Sequence, residues 1–337
     1  MVTIKDVAER AAVSISTASR ILSNSTTEKF SEATQAKVLR ASLELGYRPN
    51  FAARALVSGK TRIIAAVFPR IVDSPFTALA SLQILAGIEG FCSENGYHTL
   101  ISSPRIIDGE ADANFTAMLA GGYPDGVIID QHFHIAPIIA ALAQFNLPTV
   151  GLGHSDYPHR IECDNFVGAK QLMHHVLELG HCSIGIVGVP DGISLSFDAR
   201  LQGIRAAAEQ CGLPFARMPR SNGRFSSESG AAAAAELLTA HPELTALVAL
   251  NDRMAMGAIR QAQKMGYNVP EQLSVVGYDD LPQSVDFHPP LTTVNQHLAD
   301  WGTLAMTMLL DLINGGSPTP VILEPKLVTR KSAAPLA

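Results

Sequence analysis

No stretch of this 337-residue sequence approaches the ~20 consecutive apolar residues that a membrane-crossing helix needs. The chain opens directly on a charged amphipathic pattern rather than a secretory leader, so a signal peptide is not expected. Its four cysteines, Cys92, Cys163, Cys182 and Cys211, are scattered and lack C-x-x-C or metal-site spacing. They read as small buried side chains in a reducing cytoplasm. Signatures of catalysis are missing too: there is no Gly-x-Ser-x-Gly, no phosphate loop and no His-Glu-x-x-His, and Gly151-Leu152-Gly153 lacks the third glycine of a dinucleotide site. His132 and His134 have no third ligand at convincing spacing. No enzyme activity, metal or cofactor is therefore expected. Charged residues make up only 17% against 47% apolar, which excludes a disordered chain and leaves material for two or three domains.

The charge that is present is unevenly placed. Residues 1–60 hold nine Lys/Arg against five Asp/Glu, whereas the remainder holds 16 against 26, within a net charge of −6. A basic head on an acidic body points to nucleic acid as the partner of the head. Thr3 to Leu22 gives that head a shape. Ile4, Val7, Ala8 and Ala11 recur at i, i+3, i+4, i+7, the apolar face of a helix, with Thr3 and Asp6 at capping-box spacing. Ser14 is placed to cap a second helix whose apolar face is Ala18, Ile21 and Leu22. Its other face carries Ile15, Ser16, Thr17, Ser19 and Arg20, groups suited to base edges and phosphates in a major groove. A small helical hairpin with a solvated face would share this pattern; the coincidence with the basic charge favours a helix-turn-helix. A third helix is expected from Ser31 to Leu45, ended by Gly46.

Tyr47-Arg48-Pro49-Asn50 then breaks the helical pattern, and Phe51–Val57 is too short for a stable helix alone. It reads either as a linker turn or as a helix that folds only against DNA and a partner copy. From Ile63 short apolar strands alternate with helices: strands at 63–68, 98–102, 126–130 and 148–152, with helices near 76–95, 110–121 and 136–145. A second series opens near Arg160, with strands at 183–188, 245–250 and 273–277, a weak strand at 215–218, and helices near 166–179, 198–211, 227–240 and 252–265. Such alternation predicts parallel sheets covered by helices, here in two similar lobes with a ligand cleft between strand ends.

Several stretches in this order carry a resemblance. Thr3-Ile4-Lys5-Asp6-Val7-Ala8, Val13-Ser14-x-x-Thr17-x-Ser19-Arg20-Ile21-Leu22 and Gly46-Tyr47-Arg48-Pro49-Asn50 lie in the head. Asp164-Asn165, Leu179-Gly180-His181, Arg200-x-x-Gly203, Asn251-Asp252, Ser274 to Asp280 and Pro290 to Val294 follow in the body. Together they resemble the lactose/galactose-repressor (LacI/GalR) family of transcription factors over nearly the whole chain. Ala18 and Ser23 stand where Val and Asn are common in that family.

The resemblance implies an all-α helix-turn-helix head over 1–46, a hinge over 47–60 whose short helix forms on DNA, and an α/β effector-binding and dimerisation core of the periplasmic-binding-protein type over 61–337. It places one lobe at about 61–159 plus 295–321 and the other at about 160–294 plus 322–333, the chain crossing between them three times. It further implies a cytoplasmic homodimer on a palindromic operator, acting as a repressor. DNA contacts fall on Thr3, Ser14, Ile15, Ser16, Thr17, Ser19, Arg20, Asn24, Tyr47, Asn50, Ala53, Arg54 and Leu56, with Ile15 and Ser16 at the variable base-reading positions and Leu56 as a minor-groove wedge.

For the effector, Arg200 and Asp279 supply fixed donors and acceptors, Asn251 both, and Phe225 a stacking face, with Ser194 and Ser196 near them. Asp73, Pro75, Phe76 and Asp130 come from the first lobe, and His132-Phe133-His134 shapes the pocket. The set suits a sugar; a purine uses similar groups. A ligand-binding module with no DNA role is the other reading, favoured if residues 1–60 bind no duplex. No leucine heptad follows the last strand, so a dimer rather than a coil-tethered tetramer is expected.

Overall fold

The computed structural model describes residues 2–22, 30–47, 55, 59–71, 78–153 and 157–336. The chain divides into two units, Met1–Arg62 and Ile63–Ala337.

In the first unit, helices α1 (Ile4–Ala11), α2 (Ile15–Leu22) and α3 (Glu32–Leu45) bury Val7, Ala8, Ala11, Ala18, Ile21, Val38 and Ala41 against one another. α1 begins at the expected capping box: Asp6 accepts from the Thr3 amide at 2.7 Å and the Thr3 hydroxyl at 2.9 Å. Those bonds, the backbone one foremost, hold the Asp6 carboxyl below its ordinary value. α1 ends at Ala12 in the left-handed region, which turns the chain sharply into α2. Gly46, also left-handed, ends α3 where a residue without Cβ fits at no steric cost.

The second unit runs through β1 (Ile63–Val67), α4 (Leu79–Glu94), β2 (His98–Ser102), β3 (Ile106–Ile107), β4 (Glu110–Ala111), α5 (Ala113–Ala120), β5 (Gly126–Asp130), α6 (Ala136–Ala143), β6 (Thr149–Leu152) and β7 (Arg160–Cys163). It continues with α7 (Asn165–Glu178), β8 (Ile184–Gly188), α8 (Leu195–Gln210), β9 (Arg220–Asn222), α9 (Ser227–Ala240), β10 (Ala246–Ala249), α10 (Asp252–Lys264), β11 (Ser274–Val276) and α11 (Gln283–Asp286). Last come β12 (Thr293–Asn295), α12 (Leu298–Ile313), β13 (Val321–Leu323) and β14 (Lys326–Val328). Two parallel sheets result, ordered β13-β7-β6-β5-β1-β2 and β11-β10-β8-β9. β12 and β14 pair antiparallel between them.

Strand pairing carries the first lobe a few residues beyond the border at 159/160 read from the sequence. β7 pairs with β6 and with β13, so Arg160–Cys163 and Val321–Leu323 complete the first sheet. The chain passes between lobes three times, after Cys163, through β12 and through β14. After β14 it ends on the second lobe, where Val275 donates to Ser332 O at 2.8 Å. One apolar cluster runs without a break from Ile64, Ile88 and Trp301 on the first sheet to Ile186, Leu247 and Val275 in the second.

Three local expectations need correction. The helix expected over 110–121 begins only at Ala113, capped by Asp112 accepting from Phe115 N at 3.0 Å. Before it stands a β3–β4 hairpin turned by Asp108 and Gly109, both at positive φ, which is the Asp-Gly signature of a tight two-residue turn. The strand expected at 215–218 is a 3-10 turn, Phe215–Arg217, and the strand lies beyond Pro219 as β9. Cys92 and Cys163 are buried as expected, but Cys182 and Cys211 are exposed at loop positions. Among the described residues no helix is long and apolar enough to cross a membrane.

Candidate functional site

The head presents α2 as its candidate nucleic-acid surface. Ser14 starts the helix by accepting from Thr17 N at 3.0 Å, and its hydroxyl lies 2.8 Å from that of Thr17. Two of the residues expected at DNA thus have hydroxyls already engaged in capping. Ile15 is 49% exposed, an apolar side chain standing in water beside exposed Ser16, Ser19 and Arg20. Packing does not account for it, since the burial of α2 is carried by Ala18 and Ile21. Tyr47 is half-buried against the head core, and Thr3 is exposed at the α1 cap. Asn24, Asn50, Ala53, Arg54 and Leu56 lie outside the described residues. Substituting Ser14 with alanine removes the α2 cap, a loss of about 1 kcal/mol; amide exchange in α2 is expected to quicken roughly fivefold. Unchanged exchange would mean that Ser14 does not hold the helix start.

In the second unit, the carboxyl ends of the strands bring most of the remaining candidates together. Arg200, on the inner face of α8, is only 2% exposed. It donates from Nε to Asn165 Oδ1 at 2.8 Å, and from Nη1 to Leu250 O at 2.6 Å and Asp279 Oδ1 at 3.3 Å. Its guanidinium lies 3.9 Å above the Tyr278 ring centre and 4.7 Å from that of Phe197. Asp279, just past β11, is held at φ 132, in a region L-residues rarely occupy, while its amide donates to Val294 O on the crossing strand. Its Oδ1 also accepts from Gln296 Nε2 at 2.7 Å. Burial pushes the Asp279 carboxyl up to about 7, with Arg200 pulling it the other way. Arg200 and Asp279 therefore form one buried unit, steered by Asn165 and Gln296.

Other candidates are committed differently from the expectation. Asn251 caps α10 by accepting from Met254 N at 2.8 Å and donates to Phe225 O at 3.2 Å, so both ends of its amide are engaged within the protein. Phe225, at φ 64 and half-buried, makes T-shaped contacts with Phe197 at 4.9 Å and Phe133 at 5.6 Å. Ser194 donates to His132 O at 2.8 Å across the two lobes. Asp130 turns back on its own loop, accepting from His132 N at 3.0 Å and meeting the ring Nδ1 of the same residue. The His132 ring stacks on buried Trp301 at 5.7 Å. Ser196 Oγ is buried with no partner, and so is Gln296 Oε1. Asp73, Pro75 and Phe76 lie outside the described residues.

Nearby carboxylates have structural work. Asp252 is fully buried and accepts from Leu281 N at 2.9 Å, Ser284 Oγ at 2.6 Å and Thr293 Oγ1 at 2.5 Å, which ties α10 to α11 and the crossing strand β12. Asp280 pairs with Arg330 at 2.6 Å and accepts from Asn295 Nδ2 at 2.8 Å. Gln296, Asn165, Tyr278 and Trp301 belong to this cluster although the sequence reading gave them no ligand role, and Phe133 joins it as a residue expected to shape the pocket. Asn165 and Tyr278 sit inside the family-like stretches, but Gln296 reaches Asp279 only because β12 crosses between the lobes.

A helix-turn-helix head joined to a two-lobed α/β body with polar groups gathered between its lobes defines a ligand-responsive DNA-binding regulator. Comparison with known proteins agrees over the full chain. Residues 3–50 match the model for bacterial regulatory proteins of the lacI family, and residues 173–333 match a periplasmic binding protein-like domain. The chain is 32% identical to the HTH-type transcriptional regulator CelR of Thermobifida fusca over 337 residues, covering 98% of each. Among solved structures it resembles a lac repressor dimer bound to operator and the anti-inducer ONPF (29% identity, TM-score 0.83, 100% of this chain and 99% of that one). It also resembles a CelR–cellobiose complex (30% identity, TM-score 0.73, 98% and 100%). The chain belongs to the LacI family of bacterial transcriptional regulators.

Proposed function

We propose that this regulator is a cytoplasmic homodimeric repressor that binds a palindromic operator, catalyses no reaction, and is switched by a sugar between its lobes. Residues 1–46 form the DNA-binding domain, 47–60 the hinge and 61–337 the effector core. The observation that carries the effector assignment is the Arg200–Asp279 unit: fixed donors and acceptors at strand ends, with unpartnered Gln296 Oε1 and Ser196 Oγ buried in the same lobe junction. Adjacent sugar hydroxyls both donate and accept, which matches such a set. A relative captured with cellobiose supports a sugar over a purine.

The effector assignment is tested by thermal unfolding of the full chain against mono- and disaccharides, nucleosides and nucleobases. A ligand at 100 times its dissociation constant stabilises by ~2.7 kcal/mol. Hits confined to nucleosides or nucleobases overturn the sugar assignment.

On DNA, Ile15 and Ser16 read base edges, with Ile15 against a thymine methyl, Arg20 takes a guanine in bidentate fashion, Thr17, Ser19 and Asn24 hold phosphates, Thr3, Ser14, Tyr47, Asn50, Ala53 and Arg54 make further DNA contacts, and Leu56 wedges the minor groove. Exposure of Ile15, while Ala18 and Ile21 carry the burial of α2, supports this reading. Leu56→Ala is expected to lose specific binding far more than non-specific binding, and Ile15→Ala to relax preference at one position per half-site by about 1–3 kcal/mol. Both are read by competition of operator against random duplex at one fixed salt concentration. Equal losses on both duplexes would contradict the assignments.

A further inference from the structure

The first lobe carries an arginine with no ion-pair partner among the described residues. Arg70 lies three residues beyond the end of β1, its amide donating to Pro104 O at 2.8 Å. Among the described residues its side chain enters no ion pair and no hydrogen bond, and its Nε is buried. Two further buried polar atoms lack partners: Ser103 Oγ, one residue past β2 at the same sheet edge, and Gln83 Nε2, five residues into α4, the helix that follows β1. α4 itself begins at Ala78 with no side-chain cap and no acidic residue in its first turn. Among the described residues, therefore, neither a side-chain cap nor a first-turn carboxylate answers its positive end at the carboxyl side of β1.

These groups sit at the edge that matters. β1 is in register with β5 (Val67 opposite Ile129) and with β2 (Val67 opposite Ser102), so Arg70 and Ser103 follow the carboxyl ends of adjacent parallel strands and Asp130 ends the third. Just beyond β5 on this edge, Phe133 meets Ser194 of the second lobe. Ligands of open α/β sheets bind outside these strand ends. Two of the three orphaned atoms, Arg70 Nε and Gln83 Nε2, can only donate, and the third is a hydroxyl that can donate. A neutral sugar hydroxyl leaves such a set short of acceptors and the guanidinium without a counter-charge. A carboxylate or phosphate supplies both, in charge-assisted bonds stronger than neutral ones.

We infer that Arg70, with Ser103 and Gln83, forms an anion subsite on the first-lobe wall of the cleft, and that the effector is an anionic sugar. This rests on the reading of the cleft as a sugar site. The subsite takes the ligand's charged end, while Arg200 and Asp279 take its hydroxyls.

Calorimetric titration of the full chain with matched probes tests it: neutral hexoses, the corresponding hexuronates, the corresponding hexose 6-phosphates, and inorganic phosphate alone. An anionic sugar is expected to bind at least tenfold tighter than its neutral counterpart, and the hexuronate and 6-phosphate arms tell which charged group is taken. In Arg70→Ala that preference collapses, and Arg70→Lys restores part of it. The unliganded melting temperature of Arg70→Ala stays level or rises, which a merely structural arginine would not allow. Neutral sugars that bind as tightly as anionic ones, with no effect of Arg70→Ala, overturn the subsite and leave the sugar reading intact. Inorganic phosphate held as tightly as the phosphosugars also overturns the effector inference. A silent panel overturns both readings.

Discussion

Replacing Arg200 with alanine is expected to abolish the effector response and to destabilise the body by about 3–5 kcal/mol, the usual cost of removing one partner of a buried charged pair. Three acceptors lose a donor at once: Asn165 Oδ1, the Leu250 carbonyl and Asp279 Oδ1, which is left, among the described residues, with Gln296 alone. Asp279 feels it most, because burial already raises its carboxyl to about 7 with Arg200 present. Without the guanidinium that value climbs further. A raised carboxyl binds its proton more tightly in the folded chain than in the unfolded one. Stability therefore falls as pH rises from the ordinary carboxylate range through the folded value, and is level above it. In Arg200→Ala the falling limb should extend above pH 7, and Arg200→Ala combined with Asp279→Asn should flatten it. Unfolding curves between pH 5 and 9, with and without a sugar that stabilises the parent protein, separate the two effects. Full ligand-induced stabilisation in Arg200→Ala would remove Arg200 from the effector site.

Asp252→Ala carries a comparable penalty for a different reason. Its carboxylate accepts from two hydroxyls and one amide that come from two separate pieces of chain: Leu281 and Ser284 at α11, and Thr293 on β12. Each bond to a charged acceptor is worth ~1.5–3 kcal/mol, but neighbouring losses do not add fully. A net loss of about 4 kcal/mol is expected, roughly a 10 °C fall in melting temperature for a unit of this size. Asp252→Asn keeps two acceptors' worth of lone pairs at one oxygen and should lose about half as much. The denaturant midpoint measures both, with the m-value unchanged. A loss within 0.5 kcal/mol in the alanine variant, the range of surface changes, would mean that the clamp is not needed.

What could be read directly from the sequence follows from the range of each signal. The head was legible to its caps, because Thr3, Asp6, Ser14 and Gly46 act within four residues of where they stand. The alternation of strands and helices was legible because a buried parallel strand is a short apolar run. Strand order was not, and neither was the move of Arg160–Cys163 into the first sheet, since pairing with β13 spans some 160 residues. The hairpin at Asp108-Gly109 was hidden by extending the following helix backwards across its cap at Asp112. At the cleft, Arg200 and Asp279 were identified by type, but the partners that fix them were not: Gln296 arrives on a crossing strand and Asn165 from another helix. Asn251 and Phe225 have the right chemistry for a sugar, yet backbone capping and T-shaped aromatic contacts engage them. Composition cannot reveal whether a side chain's hydrogen bonds are already used.

The contact between Ser194 and His132 across the lobes has a consequence for how such a protein can change over generations. The hydroxyl of Ser194 fastens to a main-chain oxygen, not to the imidazole. Every residue type carries that oxygen, so a new side chain at position 132, whatever it changes at Asp130 and Trp301, leaves this bond in place. Drift toward a different small molecule can proceed through one lobe's loop while this bond survives, because Ser194 on the other lobe asks only for the backbone.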